Sequence, residues 1–454
     1  MRFSHGVSAL LLTGSVGAAA CTDAFTGTET TADAGAAGSG GSDAGAPMVG
    51  EGGSATVSTA GEGQGAVPGA AGEGGSGVVG GAGAGGSEVP GPTITNCQVG
   101  RGGGTCRWVL GVGAWSTCAI ATGGIVKCWG LNDHQQLGDG KTEHEPCDAA
   151  MRDCSSTPVV AELEHPEKIS GGEVTNCALN ALGYLYCWGL DVRNDEDLAV
   201  PTRFGESAGS TALSVRLPFG VSPGDGTVWV GGLDVQGNGV FGSGAPPLAN
   251  ERRFPAPVAG LSEALAFDLG WYHGCAVREG GSVVCWGKGQ SGELGDGLKG
   301  NRNELVVVQG VSGAASVAVG DGTSCALLEN GEVTCWGVGH PGGTLAATVV
   351  PGLPNALDVR GGFGHFCALR DTGRVACWGR NGAGQAGPEA LGPAVNQPTN
   401  LEGISDAVAI GLGAQHSCAL LKSGNVVCWG NNQLGQLGIG TFTKAMALTA
   451  VKGL

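Results

Sequence analysis

The chain has 454 residues, of which 91 are glycine and 14% are charged, and its formal net charge is −17. Glycine at about three times its usual share is typical of collagen, of a low-complexity tether or of a fold with many tight turns; no strict Gly-X-Y period runs through the chain, which excludes collagen. From Asn96 onward there are 32 acidic and 22 basic residues and no basic run. This composition disfavours nucleic acid as a partner, because phosphate contacts need clustered Lys and Arg.

The first twenty residues are predicted to be a secretory signal. The apolar stretch Val7–Val16 is too short to span a bilayer, and the small residues Gly17–Ala20 come directly before Cys21. This ending resembles a bacterial lipoprotein signal, in which the cysteine is lipidated and becomes the new N-terminus. The resemblance, with Thr22 in the next position, implies an exported protein anchored to the bacterial outer membrane or cell surface through its N-terminal lipid only. Ordinary cleavage that leaves a free Cys21 is the alternative.

Residues 21–95 are predicted to be the lipidated cysteine followed by a disordered linker rich in Gly, Ala and Ser. Between residues 22 and 92 there is no Lys or Arg, and Phe25 is the only aromatic residue. Such a segment cannot bury enough apolar surface to offset the entropy lost on ordering. We expect it to hold a folded domain, residues 96–454, away from a surface.

The folded domain is predicted to repeat one unit, C-A-L-x-x-x-G-x-V-x-C-W-G, seven times. The copies lie at about 118–130, 177–189, 220–232, 275–287, 325–337, 367–379 and 418–430. The third copy is degenerate, because Gly220 and Val230 replace its two cysteines. The expected fold class is all-β.

Each copy is predicted to be a β-hairpin. A glycine stands six positions after the first cysteine position in every copy, at Gly124, Gly183, Gly226, Gly281, Gly331, Gly373 and Gly424. A three-residue loop whose third residue is left-handed requires glycine there. The pattern then places the second and eighth positions opposite each other, as in Leu420 and Val426, and does the same for the two cysteines.

The cysteines facing each other across a hairpin are placed to form disulfides. These pairs are Cys118–Cys128, Cys177–Cys187, Cys275–Cys285, Cys325–Cys335, Cys367–Cys377 and Cys418–Cys428. Cys97–Cys106 and Cys147–Cys154 complete the count and leave Cys21 as the odd cysteine. Buried free thiols and a zinc site are the alternatives; the spacing lacks the short intervals of zinc motifs, and an export signal favours disulfides.

Further motifs surround each hairpin. Trp429–Asn432 leads into Gly435–Gly440, and Gly-x-x-His-x-Cys precedes the hairpin at Gly362–Cys367 and Gly413–Cys418. Together these motifs resemble the regulator of chromosome condensation repeat family over roughly residues 107–454. The resemblance implies a seven-bladed β-propeller with four antiparallel strands in each blade. The paired cysteines depart from the eukaryotic pattern of this family.

The end of the chain is expected to close the propeller. Val-x-Gly-Leu steps precede the later repeats, as at Val350–Leu353, and the sequence ends on a similar step, Val451–Leu454. No hairpin follows this last step, and the first hairpin has no such step before it. We therefore expect the C-terminal strand to complete the first blade and close the ring, which would remove exposed sheet edges.

No cofactor or metal is expected. His273, His365 and His416 stand two residues before a repeat cysteine, where a ring of histidines would suit a metal, but Ser or Thr occupies this position in other copies. A shared hydrogen-bonding role to the backbone explains the whole set. Gly382–Gly387 matches G-x-G-x-x-G without the βαβ context of a nucleotide site.

The candidate binding rim consists of residues in which one repeat differs from the others: Trp115, Glu143, His144, Asp148, Trp271 and Tyr272. An aromatic and acidic rim suits a protein or a glycan, and packing between blades is the alternative interpretation. The function predicted is a non-catalytic, monomeric, surface-tethered scaffold that binds a macromolecule. A guanine-nucleotide-exchange regulator, which the family resemblance implies, is one alternative. The other is a sialidase-like glycoside hydrolase, which Asp225–Trp229 suggests through an Asp box of the wrong spacing.

Overall fold

The computed structural model describes residues 96–191, 194–204, 210, 212–216, 218–338, 343–388 and 392–454. The predicted signal, Cys21 and the linker lie outside the described residues. The described chain forms seven antiparallel sheets, which are the blades of a β-propeller. The predicted fold class is confirmed. Within the described ranges no helix has the length and apolar character needed to cross a membrane.

Each blade uses four consecutive strands, numbered first to fourth from the propeller axis outward. The first blade contains Leu110–Val112, Ser116–Ala121, Ile125–Leu131 and Asp153–Ala161, with Glu145–Pro146 added outside; the second contains Pro166–Gly171, Thr175–Asn180, Leu185–Asp191 and Glu196–Arg203. The third contains Ala212–Val215, Pro218–Ser222, Trp229–Asp234 and Glu251–Pro257; the fourth contains Ala264–Leu269, His273–Arg278, Val283–Gly287 and Arg302–Val307. The fifth contains Ala314–Val319, Thr323–Leu328, Val333–Gly337 and Thr344–Val349; the sixth contains Ala356–Gly361, His365–Arg370, Val375–Arg380 and Ala394–Asn400. The seventh contains Ala407–Leu412, His416–Leu421, Val426–Gly430 and Ala445–Ala450, and the short 3-10 helices are Arg101–Gly103, Thr105–Trp108 and Glu279–Gly281.

The second and third strands of each blade form the predicted hairpin. In the seventh blade Leu420 pairs with Val426 and Cys418 with Cys428, as the repeat pattern requires. The loop is the three residues Lys422–Gly424, and Gly424 has φ +85°, the left-handed conformation that favours glycine. The equivalent glycines of the other six copies also have positive φ. The prediction of hairpin register and turn type is confirmed.

The predicted cysteine pairs are joined as disulfides. Six bridge the second and third strands of a blade, with Cα–Cα distances of 4.0–4.1 Å, and the other two are Cys97–Cys106 and Cys147–Cys154. The third blade differs because Gly220 pairs with Val230 there. A Cβ on Gly220 would lie 2.9 Å from the side chains of Phe267 and Leu269. Apolar side chains of the fourth blade therefore fill the space that a disulfide takes elsewhere.

Among the described residues, four blades are joined to the preceding one by a hydrogen bond from the repeat tryptophan, at Trp129, Trp286, Trp336 and Trp429. The indole Nε1 of Trp336 donates to the carbonyl oxygen of Glu293 at 2.8 Å, and that of Trp429 donates to Gln385 at 2.9 Å. The acceptor belongs to the Gly-Gln-Leu-Gly segment between the third and fourth strands of the preceding blade. A Cβ on Gly295 of that segment would lie 2.8 Å from Trp336, so glycine allows the ring to approach. This contact explains why the two motifs repeat together.

The expectation that the C-terminal strand completes the first blade is wrong. Ala445–Ala450 pairs with Val426–Gly430 and is the outer strand of the seventh blade. The inner strand of the first blade is Leu110–Val112, which pairs with Ser116–Ala121. The Val-x-Gly-Leu step ends the fourth strand of the blade before it, as the strand bounds at Thr344–Val349 show. The last step of the chain therefore ends the seventh blade in the same way.

The ring closes by packing between the seventh and first blades. Trp129 Nε1 donates to the carbonyl oxygen of Gln436 at 3.0 Å, which repeats the contact made between other blades. Ala414 N donates to Ala114 O at 3.2 Å. Val451 and Leu454 also pack against the apolar core shared by the two blades. Closure therefore uses the ordinary contact between blades, extended by the last four residues.

The segment before the first blade closes one end of the propeller axis. The Arg101 guanidinium donates to the carbonyl oxygen of Ala356 at 3.0 Å, and Arg107 pairs with the buried carboxylate of Asp358 at 3.2 Å. The Cys97–Cys106 disulfide fixes this segment, residues 97–108, which we call the axial plug. The sequence predicted the disulfide but not the position of the plug.

Candidate binding surface

The loops of the propeller fall on two opposite ends. Antiparallel order places the loops between first and second strands at the same end as the loops between third and fourth strands; we call this end the rim face. The other end, the turn face, carries the hairpin turns such as Lys422–Gly424. The loops between first and second strands contain Trp115, Trp271 and Tyr272, and the loop after the third strand of blade one contains the other three candidate residues, Glu143, His144 and Asp148. All six predicted rim residues therefore belong to the rim face.

Aromatic side chains of three blades meet on the rim face. Trp115, Trp271, Tyr272 and Phe363 form one apolar cluster with two alanines. Trp271 is only 6% exposed, and Phe363 packs edge-to-face against it with ring centroids 5.3 Å apart. Trp115, Tyr272 and Phe363 are half-buried. The cluster thus packs between blades and also presents ring surface to solvent, so both interpretations of these residues hold. We call these four residues the rim cluster.

Cations lie over the rings of the rim cluster. The guanidinium carbon of Arg216 is 5.2 Å from the Trp271 centroid, Lys288 Nζ is 4.7 Å from that of Tyr272, and the guanidinium carbon of Arg380 is 5.3 Å from that of Phe363. These distances are within the range of cation–π attraction. Positive charge is therefore concentrated at the aromatic part of an otherwise acidic domain.

Two carboxyl groups next to the rim cluster have raised pKa values, because their surroundings disfavour the charged form. Burial raises the pKa of Glu173, and the hydrogen bond that Trp271 Nε1 donates to its Oε2 at 2.8 Å partly offsets that rise. Burial also raises the pKa of Asp321, against the lowering effects of Lys288 and Arg380. A partner that removed more water would disfavour these anions further. The rings and the cations are therefore the groups best suited to contact a partner.

A groove of about 590 Å³ opens between the sixth and seventh blades beside the rim cluster. Its lining includes Phe363, Arg380, Gln385, Gln415, Asn431 and Lys444. Asn431 Nδ2 donates to Gln415 Oε1 at 2.8 Å, which fixes one wall. The sequence analysis missed this groove. One signal was present: Phe363 follows the glycine that comes directly after a first strand, as Trp271 does in its own repeat.

The disulfide-bridged loop of the first blade orders its own polar groups. His144, whose side chain is 8% exposed, lies between Asp139 and Asp153, and each carboxylate oxygen is 3.0 Å from a ring nitrogen. Asp148 pairs with Arg152 at 2.6 Å. Only Glu143 of the three predicted loop residues is exposed without such a contact to a neighbouring side chain among the described residues. Cys147 and Trp115 pack against the same small apolar cluster, which connects the loop to the rim cluster.

We expect His144 to titrate above pH 6.5. Burial lowers the pKa of His144, but hydrogen bonds to Asp153 and Asp139 outweigh that effect and raise it overall. A raised folded-state pKa stabilises the loop below the unfolded-state value and loses this stabilisation as pH rises through the folded-state value. NMR titration of the imidazole tests this. Asp153→Asn should lower the midpoint, whereas Asp148→Asn in the same loop should leave it unchanged; a wild-type midpoint at or below 6.5 would contradict the assignment.

The three repeat histidines connect neighbouring blades. Their Nε2 atoms lie 2.7–2.9 Å from hydroxyl oxygens of the next blade, in the pairs His273–Ser324, His365–Ser417 and His416–Thr117. Each hydroxyl donates in turn to the carbonyl oxygen that the blade's tryptophan uses. The sequence predicted a direct hydrogen bond from each histidine to the backbone. In the structure a Ser or Thr hydroxyl lies between the histidine and the backbone carbonyl oxygen and connects them. Among the described residues, no group of three or more His, Cys, Asp and Glu side chains is arranged to hold a metal ion.

The same histidines are expected to make the propeller acid-labile. Burial lowers the pKa of His273, His365 and His416 to about 3, with smaller contributions from Lys288 to the first and from His416 and Arg216 to the second. As the pH falls, these histidines therefore become protonated in the unfolded chain before they do in the folded one. The folded state loses, as the pH falls from 6.5 toward 3, the stability that it has above pH 6.5. The loss is a few kcal/mol for each histidine, at about 1.4 kcal/mol per pKa unit.

Denaturant unfolding at pH 7 and pH 4 measures this loss. His416→Gln keeps a donor to Thr117 and should reduce the loss by about a third, because one of three histidines is removed. His134→Gln, which replaces a ring on the rim face whose side chain is 41% exposed, is the control and should leave the loss unchanged. Equal stability at both pH values would show that the three histidines do not govern acid unfolding.

The remaining sequence motifs are turns. Gly382–Gly387 forms the loop between the third and fourth strands of the sixth blade, where Asn381 Oδ1 accepts from Ala386 N at 2.9 Å. No helix follows it in the described chain, so the context of a dinucleotide site is missing. Asp225 Oδ1 accepts from Thr227 N at 2.9 Å within a hairpin turn of the third blade. Both motifs stabilise local backbone.

Four segments of the chain match the model of the Regulator of chromosome condensation (RCC1) repeat, at residues 266–293, 314–340, 358–385 and 407–436. Each matched segment runs from the first strand of a blade through its hairpin, in the fourth to seventh blades. These findings support the RCC1 repeat family. Among curated proteins, the chain is 27% identical to protein pim1 of Schizosaccharomyces pombe over 190 residues, which are 41% of this chain and 28% of pim1.

A second curated protein, the human probable E3 ubiquitin-protein ligase HERC4, is 44% identical over 52 residues, which are 11% of this chain and 5% of that protein. The chain therefore spans well under a third of the length of these curated relatives. Human WBSCR16 shares 19% identity and a TM-score of 0.61, covering 72% of this chain and 94% of that one. Prp20p of Saccharomyces cerevisiae shares 19% identity and a TM-score of 0.57, covering 68% and 81%. At this identity the likeness shows the propeller fold.

Proposed function

We propose that the propeller is a non-catalytic scaffold that binds a protein through its rim face. The observation that carries this proposal is the rim cluster, in which Trp, Tyr and Phe rings stay partly exposed under Lys288 and Arg380. Trp, Tyr and Arg are the residues enriched where protein interfaces concentrate their binding energy. The groove beside Phe363 gives such a partner a recess to enter.

The scaffold favours binding over chemistry because its loops are held by contacts between blades. Disulfides brace six of the blades, and the loop that carries His144 has a disulfide of its own. Rigid frameworks that present variable loops are a common arrangement for recognition. The structure of the related Prp20p was described together with its binding to Gsp1p and histones. That description supports a protein rather than a glycan as the partner here.

We further propose that the protein is exported and anchored to the outer membrane or cell surface through Cys21. The support is the signal-like sequence of residues 1–20 and the eight disulfides, which persist in oxidising compartments. Residues 21–95 would then serve as the tether between the lipid and the folded domain. Mass spectrometry of the purified native chain tests this; an N-terminal residue other than a lipidated Cys21 would contradict it.

Capture experiments with paired variants test the binding function. Arg380→Glu reverses a charge of the rim face, and Arg374→Glu makes the same change at the turn face of the same blade, where the side chain is also exposed. Wild type and Arg374→Glu should retain the same partner from envelope or extracellular material, and Arg380→Glu should lose it. Equal capture by the two variants would contradict binding at the rim face. Retention of a small GTPase would favour exchange-type regulation.

A further inference from the structure

The axis of the propeller contains a charged cavity that no binding function explains. Its volume is about 40 Å³, and Arg107, Arg216, Arg360 and Asp268 are among the residues lining it. Arg107 belongs to the axial plug, Arg216 follows the first strand of the third blade, and Arg360 lies on the first strand of the sixth blade. The cavity is thus the place where plug and ring meet.

At the end of the cavity next to the axial plug, one carboxylate accepts hydrogen bonds from two guanidinium groups. Asp358, which is fully buried, accepts from Arg107 at 3.2 Å and from Arg360 Nε at 3.0 Å. Arg360 also donates to the carbonyl oxygen of Arg107 at 3.1 Å. Burial, and then the charge of Arg360, lower the pKa of Arg107. The two cations therefore repel each other across a single shared anion.

On the rim side, Arg216 has only backbone oxygens as hydrogen-bond partners among the described residues. It donates to the carbonyl oxygens of Gly171 at 3.0 Å, Val215 at 3.2 Å and Gly361 at 3.1 Å. The nearby carboxylate of Asp268 is already used by Ser214 Oγ and by Val319 N, each at 2.8 Å. Arg216 is thus a half-buried cation whose Nε is buried and which has no carboxylate in direct contact among the described residues.

The charges around the cavity do not balance. Three guanidinium groups, those of Arg107, Arg216 and Arg360, face the two carboxylates of Asp268 and Asp358. In addition, Nε of Arg107 and Nε of Arg216 are buried and have no hydrogen-bond partner in the described part of the chain. An uncompensated buried charge is strongly unfavourable, and a buried donor without an acceptor adds to that cost.

We propose that the cavity binds one small monovalent inorganic anion of halide size. A water molecule needs roughly 10–15 Å³ of such space, so a cavity of about 40 Å³ accommodates a halide and is too small for a nucleotide or a sugar. The anion supplies the missing negative charge and accepts from the unpartnered guanidinium donors. It connects the axial plug, through Arg107, to the third and sixth blades, through Arg216 and Arg360.

Thermal unfolding of the full oxidised chain tests the proposal, with chloride replaced by gluconate at constant ionic strength. A tenfold rise in chloride should raise the Tm of the wild type by about 2 °C once the site is saturating. Arg216→Met removes one cation, leaves the charges balanced and should abolish this dependence. Asp268→Asn adds to the imbalance, should tighten anion binding and should make the same rise begin at a lower chloride concentration. Arg374→Gln removes a cation at the exposed turn face and should behave as the wild type does.

Crystals grown in bromide provide a second readout, because an anomalous peak should appear between Arg107, Arg216 and Arg360. The proposal is overturned if the cavity contains water only, or if the chloride dependence is the same in wild type, Asp268→Asn and Arg216→Met. If Arg216→Met fails to fold, the lower chloride concentration at which the Tm of Asp268→Asn begins to rise still decides the matter. None of these outcomes depends on whether the rim face binds a partner.

Discussion

Deletion of residues 446–454 is expected to lower the Tm by about 10 °C or more, because it removes most of one outer strand and several contacts that close the ring. Ala445–Ala450 pairs with the third strand of the seventh blade. Beyond it, Val451 and Leu454 pack against the first blade, and Lys127 Nζ donates to Gly453 O at 2.6 Å. The deletion also exposes Val426–Gly430 as a sheet edge, which favours aggregation.

The deletion is best compared with a change that removes one closing contact and keeps the strand. Lys127→Met loses only the exposed hydrogen bond to Gly453 and should shift the Tm by no more than about 1 °C. Differential scanning calorimetry of the two variants with wild type separates the strand from the single contact. A deletion variant with the same Tm as the wild type would show that the seventh blade does not need its outer strand.

Reduction of the disulfides is expected to prevent refolding at 37 °C. Each hairpin disulfide closes a short loop and contributes about 2–3 kcal/mol in the chain-entropy account, and both sulfur positions are fully buried in hairpins such as Cys418–Cys428. Six such bridges together contribute an amount at or above the upper end of the usual total stability of a domain, roughly 5–15 kcal/mol. The reduced chain should therefore stay unfolded after removal of denaturant.

Single pairs give the matched comparison. Cys418→Ala with Cys428→Ala should cost about 2–3 kcal/mol in denaturant unfolding. Cys147→Ser with Cys154→Ser should mainly loosen the loop around His144, because that bridge lies outside the second and third strands of its blade. Refolding of the reduced wild type with an unchanged midpoint would show that the pairing of strands, rather than the disulfides, stabilises the blades.

The hairpins could be predicted from the sequence because their information is local. Glycine at the third loop position, cysteines ten residues apart and apolar residues between them fix the register without reference to other blades, and Gly424 and Cys418–Cys428 follow this logic. Pairing of the last strand could not be read in the same way. In the sequence the Val-x-Gly-Leu step lies between two blades and could belong to either. Only the pairing of Thr344–Val349 with the preceding strand shows that the step comes at the end of the earlier blade.

The rim cluster and the axis were harder to predict because their contacts join distant repeats. Trp271 contacts Phe363, and Arg107 pairs with Asp358, across 92 and 251 residues of sequence respectively. Trp115, Trp271 and Tyr272 stood out because their repeats carry unusual aromatic residues. Phe363 stands at the same repeat position as Trp271 and was overlooked, whereas Arg380 carries no such signal, and only the closing of the ring brings the two to the same surface.

Site-specific photo-crosslinking in the native host tests the role of the rim face most directly. A photoreactive amino acid in place of Tyr272 would sit in the rim cluster, and one in place of Leu182, which is 67% exposed in a hairpin turn, would sit on the turn face. We expect a discrete protein adduct from position 272 and none from position 182. Adducts of the same partner from both positions, or from position 182 alone, would contradict a rim-face binding scaffold.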